Sequence, residues 1–224
     1  MATNKTSVGG SDGDNRSKAT HVSIPAPNVL VAEFVVVGTS PYVQNKFSHK
    51  AGQKMKEKQE QGSQGKKGTK REPKDFKQCY EDAKHKAKAG WCGIPAPAFR
   101  NAMISACRVV GFKMTHAKLS VFTEADGYDV DDGTPLVRIT KGEPIYHEAA
   151  VRLESGVCDI HARPMWREGW EARVRIRYDG DQFSLADVSN LLARAGLQVG
   201  VGEGRADSKN SAGIGWGFFA MKGV

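Results

Sequence analysis

The alternation of apolar and polar side chains is cleanest from Trp170 onward. Trp170, Ala172, Val174, Ile176 and Tyr178 take one parity, and Glu171, Arg173, Arg175 and Arg177 take the other. Neighbouring side chains of a strand point to opposite faces, so this pattern predicts a half-buried strand with a basic outer face. An almost unbroken apolar run at residues 32–39 ends in Gly-Thr-Ser-Pro and predicts a buried strand closed by a turn. Helical spacing governs two other stretches. In residues 90–112, Pro95 and Pro97 precede Phe99, Ala102, Met103, Ala106, Val109 and Val110, which share one helical face, and Gly111 is the expected stop. In residues 184–200, Ser184 is placed to cap a helix with Asp187 in its first turn. Leu185, Val188, Leu191 and Leu192 form its stripe, and Gly196 is the expected stop. Weaker patterns predict a short polar helix over 75–90 and strands over 118–126 and 214–221. Two or three more strands are expected within 136–166, after an acidic turn at 127–135.

No repeat of fixed period interrupts this order. Strand, basic excursion, helix, several strands, helix, glycine-rich turn and final strand predict an α+β fold with helices on one face of a mostly antiparallel sheet. A ferredoxin-like or RRM-like βαββαβ core with a long basic insertion fits the order. Residues 1–20 have the composition of a disordered lead. Residues 21–224 then form one α+β domain, interrupted by a mobile basic insertion at about 48–75.

The chain of 224 residues is long enough for a sizeable core, and its 39% hydrophobic content is that of a globular protein. The best apolar run, 29–37, is broken by Glu33, so no membrane helix is expected. The N-terminal residues lack the apolar centre of a secretory signal, which makes the cytoplasm the expected compartment. Cys79, Cys92, Cys107 and Cys158 stand 13, 15 and 51 positions apart without a CxxC, so reduced thiols are expected rather than a zinc knuckle or a disulfide framework.

Charge changes the picture more than composition does. The net charge is +8 and the isoelectric point about 9.3, which points to polyanionic partners. Residues 46–90 hold fourteen basic and six acidic side chains, so this segment alone accounts for the net charge. The remaining nineteen of each sign cancel. An arm of this composition neutralises backbone phosphates and releases counterions as it orders on binding. Lys46, Lys50, Lys54, Lys66, Lys67, Lys70 and Arg71 are its phosphate-contact candidates. A solvated surface loop is the alternative.

Three segments resemble the RAMP superfamily, the ferredoxin-like or RRM-like proteins that include the crRNA-binding backbone subunits of CRISPR effector complexes of antiviral defence. They are VVVGTSPYVQNKF (35–47), GIPAPAFRNAMISACR (93–108) and GVGEGRADSKNSAGIGWGFF (200–219). The resemblance spans about residues 28–221 through short motifs. It implies an early strand running into a ligand-facing loop, a proline-led helix with a basic residue, here Arg100, and a glycine-rich stretch that contacts RNA. It also implies a flexible thumb at the basic insertion and side-by-side assembly along the strand.

The residues carry their own argument. Gly202 and Gly204, with Gly200, lack Cβ atoms and can bring amides close to a phosphate, and Arg205 adds a planar donor fork. The alternative is that these glycines only build a tight connection. Arg173, Arg175 and Arg177 form a phosphate-tracking stripe, with Tyr42, Phe47 and Trp166 as stacking surfaces and Trp170 in the core. Arg100 suits a phosphate contact or a salt bridge. The six histidines are scattered without metal spacing, so no metal, cofactor or catalytic residue is assigned. The expected function is non-catalytic binding of single-stranded nucleic acid, RNA in preference to DNA, in an oligomer and without a membrane. Two other readings stay open: a phage or mobile-element assembly protein with an acidic partner, and a ribonuclease using His49 or His161.

Overall fold

A computed structural model of the protein describes residues 24–47, 49–60, 73–152, 158–207 and 213–223. In chain order its elements are β1 (Val29–Gly38), β2 (Tyr42–Val43), α1 (His49–Glu60), α2 (Phe76–Asp82), β3 (Gly93–Pro95), α3 (Ala96–Ala106), α4 (Met114–Ser120) and β4 (Val121–Thr123). There follow β5 (Gly127–Tyr128), β6 (Pro135–Lys141), β7 (Ile145–Arg152), β8 (Cys158–Trp166), β9 (Glu171–Asp179), α5 (Leu185–Arg194) and β10 (Phe219–Met221). This is a mixed α+β fold in which every named strand pairing is antiparallel.

One sheet runs β10-β1-β9-β6-β3, with β4 also beside β9 and β5 beside β6; the second runs β2-β8-β7. The valine-rich β1 suits a strand of the first sheet, flanked by β9 and, at its end, by β10, because β-branched side chains pack well on a pleated surface. It aligns with β9 from Val29↔Asp179 to Val37↔Glu171. On one face Ala172, Val174, Ile176 and Tyr178 are buried with Ala32 and Val36 of β1. Phe99, Ala102, Met103 and Ala106 of α3 and Val188, Leu191 and Leu192 of α5 complete that core. The opposite face carries the arginines. At the junction of the two sheets Trp170 is fully buried, and its ring and that of Trp166 each lie 5.5 Å from Tyr42. Gly38 lets β1 pass over Trp170, since a Cβ there would collide with the indole.

Several boundaries differ from the sequence pattern. Helix α3 ends at Ala106, so Phe99, Ala102, Met103 and Ala106 are buried while Val109 and Val110 are exposed. The strand expected over 118–126 shortens to β4, because α4 occupies Met114–Ser120. The polar helix stops at Asp82. Asp75 caps its start, and beyond it the chain turns into bridges at Lys86↔Cys92 and Ala87↔Asp129. Gly196 does not stop the second apolar helix. It lies in a π-helical turn, Ala195–Val199, where a Cβ would strike the carbonyl of Phe219, and the chain leaves at Gly200. The final strand covers only Phe219–Met221, since Gly213, Gly215 and Gly217 all adopt positive φ and break the extended run before it. Within the basic segment, α1 is rich in Lys, Glu and Gln, all good helix formers, though it also includes Gly52. The expected N-terminal lead lies outside the described residues. Among the described residues no helix is long and apolar enough to cross a membrane.

Candidate nucleic-acid interface

Alternation along β9 sends Arg173, Arg175 and Arg177 to the sheet face away from α3 and α5. Arg173 and Arg177 are exposed and Arg175 is half-buried. Register sets Val35, Glu33 and Val31 of β1 beside them, and Phe122 of β4 beside Arg177. Arg173 Nη1 lies 3.4 Å from Glu33 Oε1. Arg175 Nη2 lies 3.0 Å from Asp126 Oδ1 and donates to the Ala125 carbonyl at 2.9 Å. The Arg177 guanidinium stands 5.3 Å from the Phe122 ring centroid, and Arg100 reaches the same ring at 5.0 Å. The exposed Arg173–Glu33 pair contributes at most about 1 kcal/mol, so a phosphate can exchange for it at small cost, whereas half-buried Arg175 is held more firmly.

Lys46 is placed differently from its expected role. Its Nζ is buried, 2.5 Å from Asp129 Oδ1 and 2.7 Å from Asp131 Oδ2, and it is consumed inside the fold rather than offered to a phosphate. Burial pulls the Lys46 ammonium down, but its hydrogen bonds to Asp129 and Asp131 outweigh that and hold it above its ordinary value. Burial likewise pushes Asp129 up, and bonds from Lys46, the Asp131 amide and His85 outweigh it and hold the carboxyl low. His85 Nδ1 is 2.9 Å from Asp129 Oδ2. Among the described residues His85, Asp129 and Asp132 bring possible metal-ligand atoms within 4.8 Å of one another. The Lys46 ammonium already stands on Asp129, so a cation there would compete with a tethered one.

Among the described residues Arg100 forms no salt bridge. Its Nε donates to the Val121 carbonyl at 3.0 Å and its Nη2 to the Lys118 carbonyl, which satisfies the C-terminal end of α4. Tyr42 and Trp166 are 1% exposed and belong to the core, so neither is a stacking surface. Gln44 fixes Tyr42 by donating to its hydroxyl and to the Gly93 carbonyl. Phe47 is 63% exposed. Lys50 and Lys54 lie on α1; Lys66, Lys67, Lys70 and Arg71 lie outside the described residues.

The glycine-rich stretch crosses the strand-like tail closely. Glu203 N donates to the Val43 carbonyl and Val201 N to the Gly217 carbonyl, each at 3.0 Å, while Gly215 N and Trp216 N both reach the Gly204 carbonyl. Arg205 Nη1 turns back to the Gly202 carbonyl at 3.0 Å. The amides of Glu203 and Val201 and one donor of Arg205 are thus spent within the crossing.

Three residues at this crossing, His147, Arg163 and Trp216, are not marked by the sequence pattern. His147 and Arg163 are cross-strand neighbours in β7 and β8, and Arg163, 3% exposed, forms an ion pair with Glu203. Trp216 packs edge-on to the His147 ring at 5.4 Å. Burial and then the Arg163 charge push the His147 imidazole below its ordinary value. Alternation of Asp159, His161 and Arg163 with Ile160, Ala162 and Pro164 places Arg163 on a polar outer face, whereas in the structure Arg163 is buried and Ile160 is exposed, so the pattern does not mark this cluster. No protein-family model and no curated protein sequence matches the chain.

Proposed function

We propose that the protein is a non-catalytic single-stranded nucleic-acid-binding protein, with RNA as its ligand, that assembles side by side along the strand. The observation that carries this reading is the stripe Arg173-Arg175-Arg177 on the face of the main sheet opposite α3 and α5, with the Phe122 ring close to the guanidinium groups of Arg177 and Arg100. Arginines on such a face follow a backbone while flanking aromatic and apolar groups meet bases. The net charge of +8 and its concentration in residues 46–90 support a polyanion.

In this reading the main sheet is a ferredoxin-like unit with the basic insertion between its first strand and first helix. The succession β1, α3, β4, β9, α5, β10 and the order β10-β1-β9, with β4 and β6 on the far side of β9, support it. Side-by-side assembly rests on the resemblance to the RAMP superfamily. The test is fluorescence anisotropy with short single-stranded RNA and DNA over a range of salt. Salt-sensitive binding that tightens with strand length supports the reading, and a protein that ignores both strands and forms a defined homo-oligomer alone overturns it.

A further inference from the structure

We infer that a cleft at the root of the basic insertion holds one nucleobase of the bound strand. This rests on the nucleic-acid reading and names where a base, rather than a phosphate, is held. The cleft of about 350 Å³ lies where the chain leaves β2 toward α1 and returns into α2. Asn45 and Phe47 come from the departing loop, Lys74, Cys79 and Asp82 from the returning chain, and His161 from β8. The volume is at the low end of the range for small-ligand pockets, about 300–1,000 Å³, which suits a flat heterocycle and is too small for a helix or folded peptide.

The lining has the three parts that single-strand recognition uses. Phe47 supplies an aromatic face with nearly two-thirds of its surface open. Asn45 is exposed, and its carboxamide makes no hydrogen bond among the described residues, so a donor and an acceptor are free for a base edge. Lys74 supplies a cation at the rim. Its Nζ lies 2.5 Å from Asp159 Oδ2 and 3.3 Å from the Ile160 carbonyl, which leaves a third ammonium hydrogen for the phosphate beside the seated base. His161 Nε2 stands 3.4 Å from the same carboxylate of Asp159. Phosphates track the arginine face by charge alone; the cleft adds a contact that needs the base itself.

The test compares an oligoadenylate RNA with a strand of the same length carrying abasic riboses, titrated against the wild-type protein, Phe47→Ala and Asn45→Ala. Phe47 is exposed, so its truncation leaves the core intact, which a matching urea midpoint checks. The expected result is about tenfold weaker binding of oligoadenylate by Phe47→Ala, with the salt dependence unchanged. The abasic strand should bind wild type and Phe47→Ala equally. A 2-aminopurine placed in the strand should be quenched by wild type and not by Phe47→Ala. Wild-type binding of oligoadenylate with no loss in either variant overturns the cleft and leaves the nucleic-acid reading intact. A wild-type protein that binds neither strand overturns both.

Discussion

Lys46 and Asp129, 83 positions apart in the chain, meet in a 2.5 Å ion pair whose side chains are 4% and 0% exposed. The pair ties the start of the basic segment to the acidic turn at 129–134, and His85 holds the other oxygen of Asp129. Removing one partner of a buried pair leaves an uncompensated charge. Lys46→Met should therefore lower the unfolding free energy by about 3 kcal/mol or more in urea titration. Asp131→Asn, at a carboxylate 53% exposed, should cost under about 1 kcal/mol.

Stability should fall in two stages as the solution is acidified. Burial and Arg163 disfavour the charged form of His147 in the fold, so the folded protein takes up this proton at lower pH than the unfolded chain, which does so near pH 6.5. The unfolded state then binds more protons, so stability declines from about pH 6.5 downward. The charged groups facing His147 are Arg163 on β8 and Glu203 on the glycine-rich loop. Asp129, held low in the fold, adds stability above its unfolded value of about 3.9 that is lost as pH drops through the folded value. His147→Gln should remove the first stage and leave the second, as read from melting temperature against pH.

Gly202 adopts φ +82°, and a Cβ there would meet the Tyr42 ring at 2.5 Å and the Val43 carbonyl at 2.6 Å. At Gly90 φ is +83° but nothing lies within 4 Å. Left-handed strain of about 1 kcal/mol is common to both, and the collision is not. Gly202→Ala should thus lower the melting temperature several degrees more than Gly90→Ala.

Elements were legible where one physical signal dominated. The parity of Trp170 to Tyr178 gave the strand and its buried set, and the Ser184/Asp187 capping box marks the start of α5 in the structure as in the pattern. Boundaries set by distant partners were hidden. Arg100 reaches across to the end of α4, and Phe219 packs so closely on Gly196 that no local rule about glycine applies. The same limit governs the candidate site. The arginine stripe follows from alternation, but charge counting could not separate Lys46, buried on Asp129, from lysines that face solvent, and aromatic content could not separate Phe47 from Tyr42 and Trp166.

The most direct measurement is the affinity for short single-stranded RNA against salt, for wild type and Arg173→Ala/Arg177→Ala. Each phosphate contact contributes about 0.7 to the slope of log affinity against log salt on a single strand. The account predicts salt-dependent wild-type binding and a slope shallower by about 1.4 in the double variant, with an unchanged melting temperature, since both side chains are exposed. Equal slopes and affinities for the two proteins, or no binding by wild type, would contradict the assignment of the arginine face.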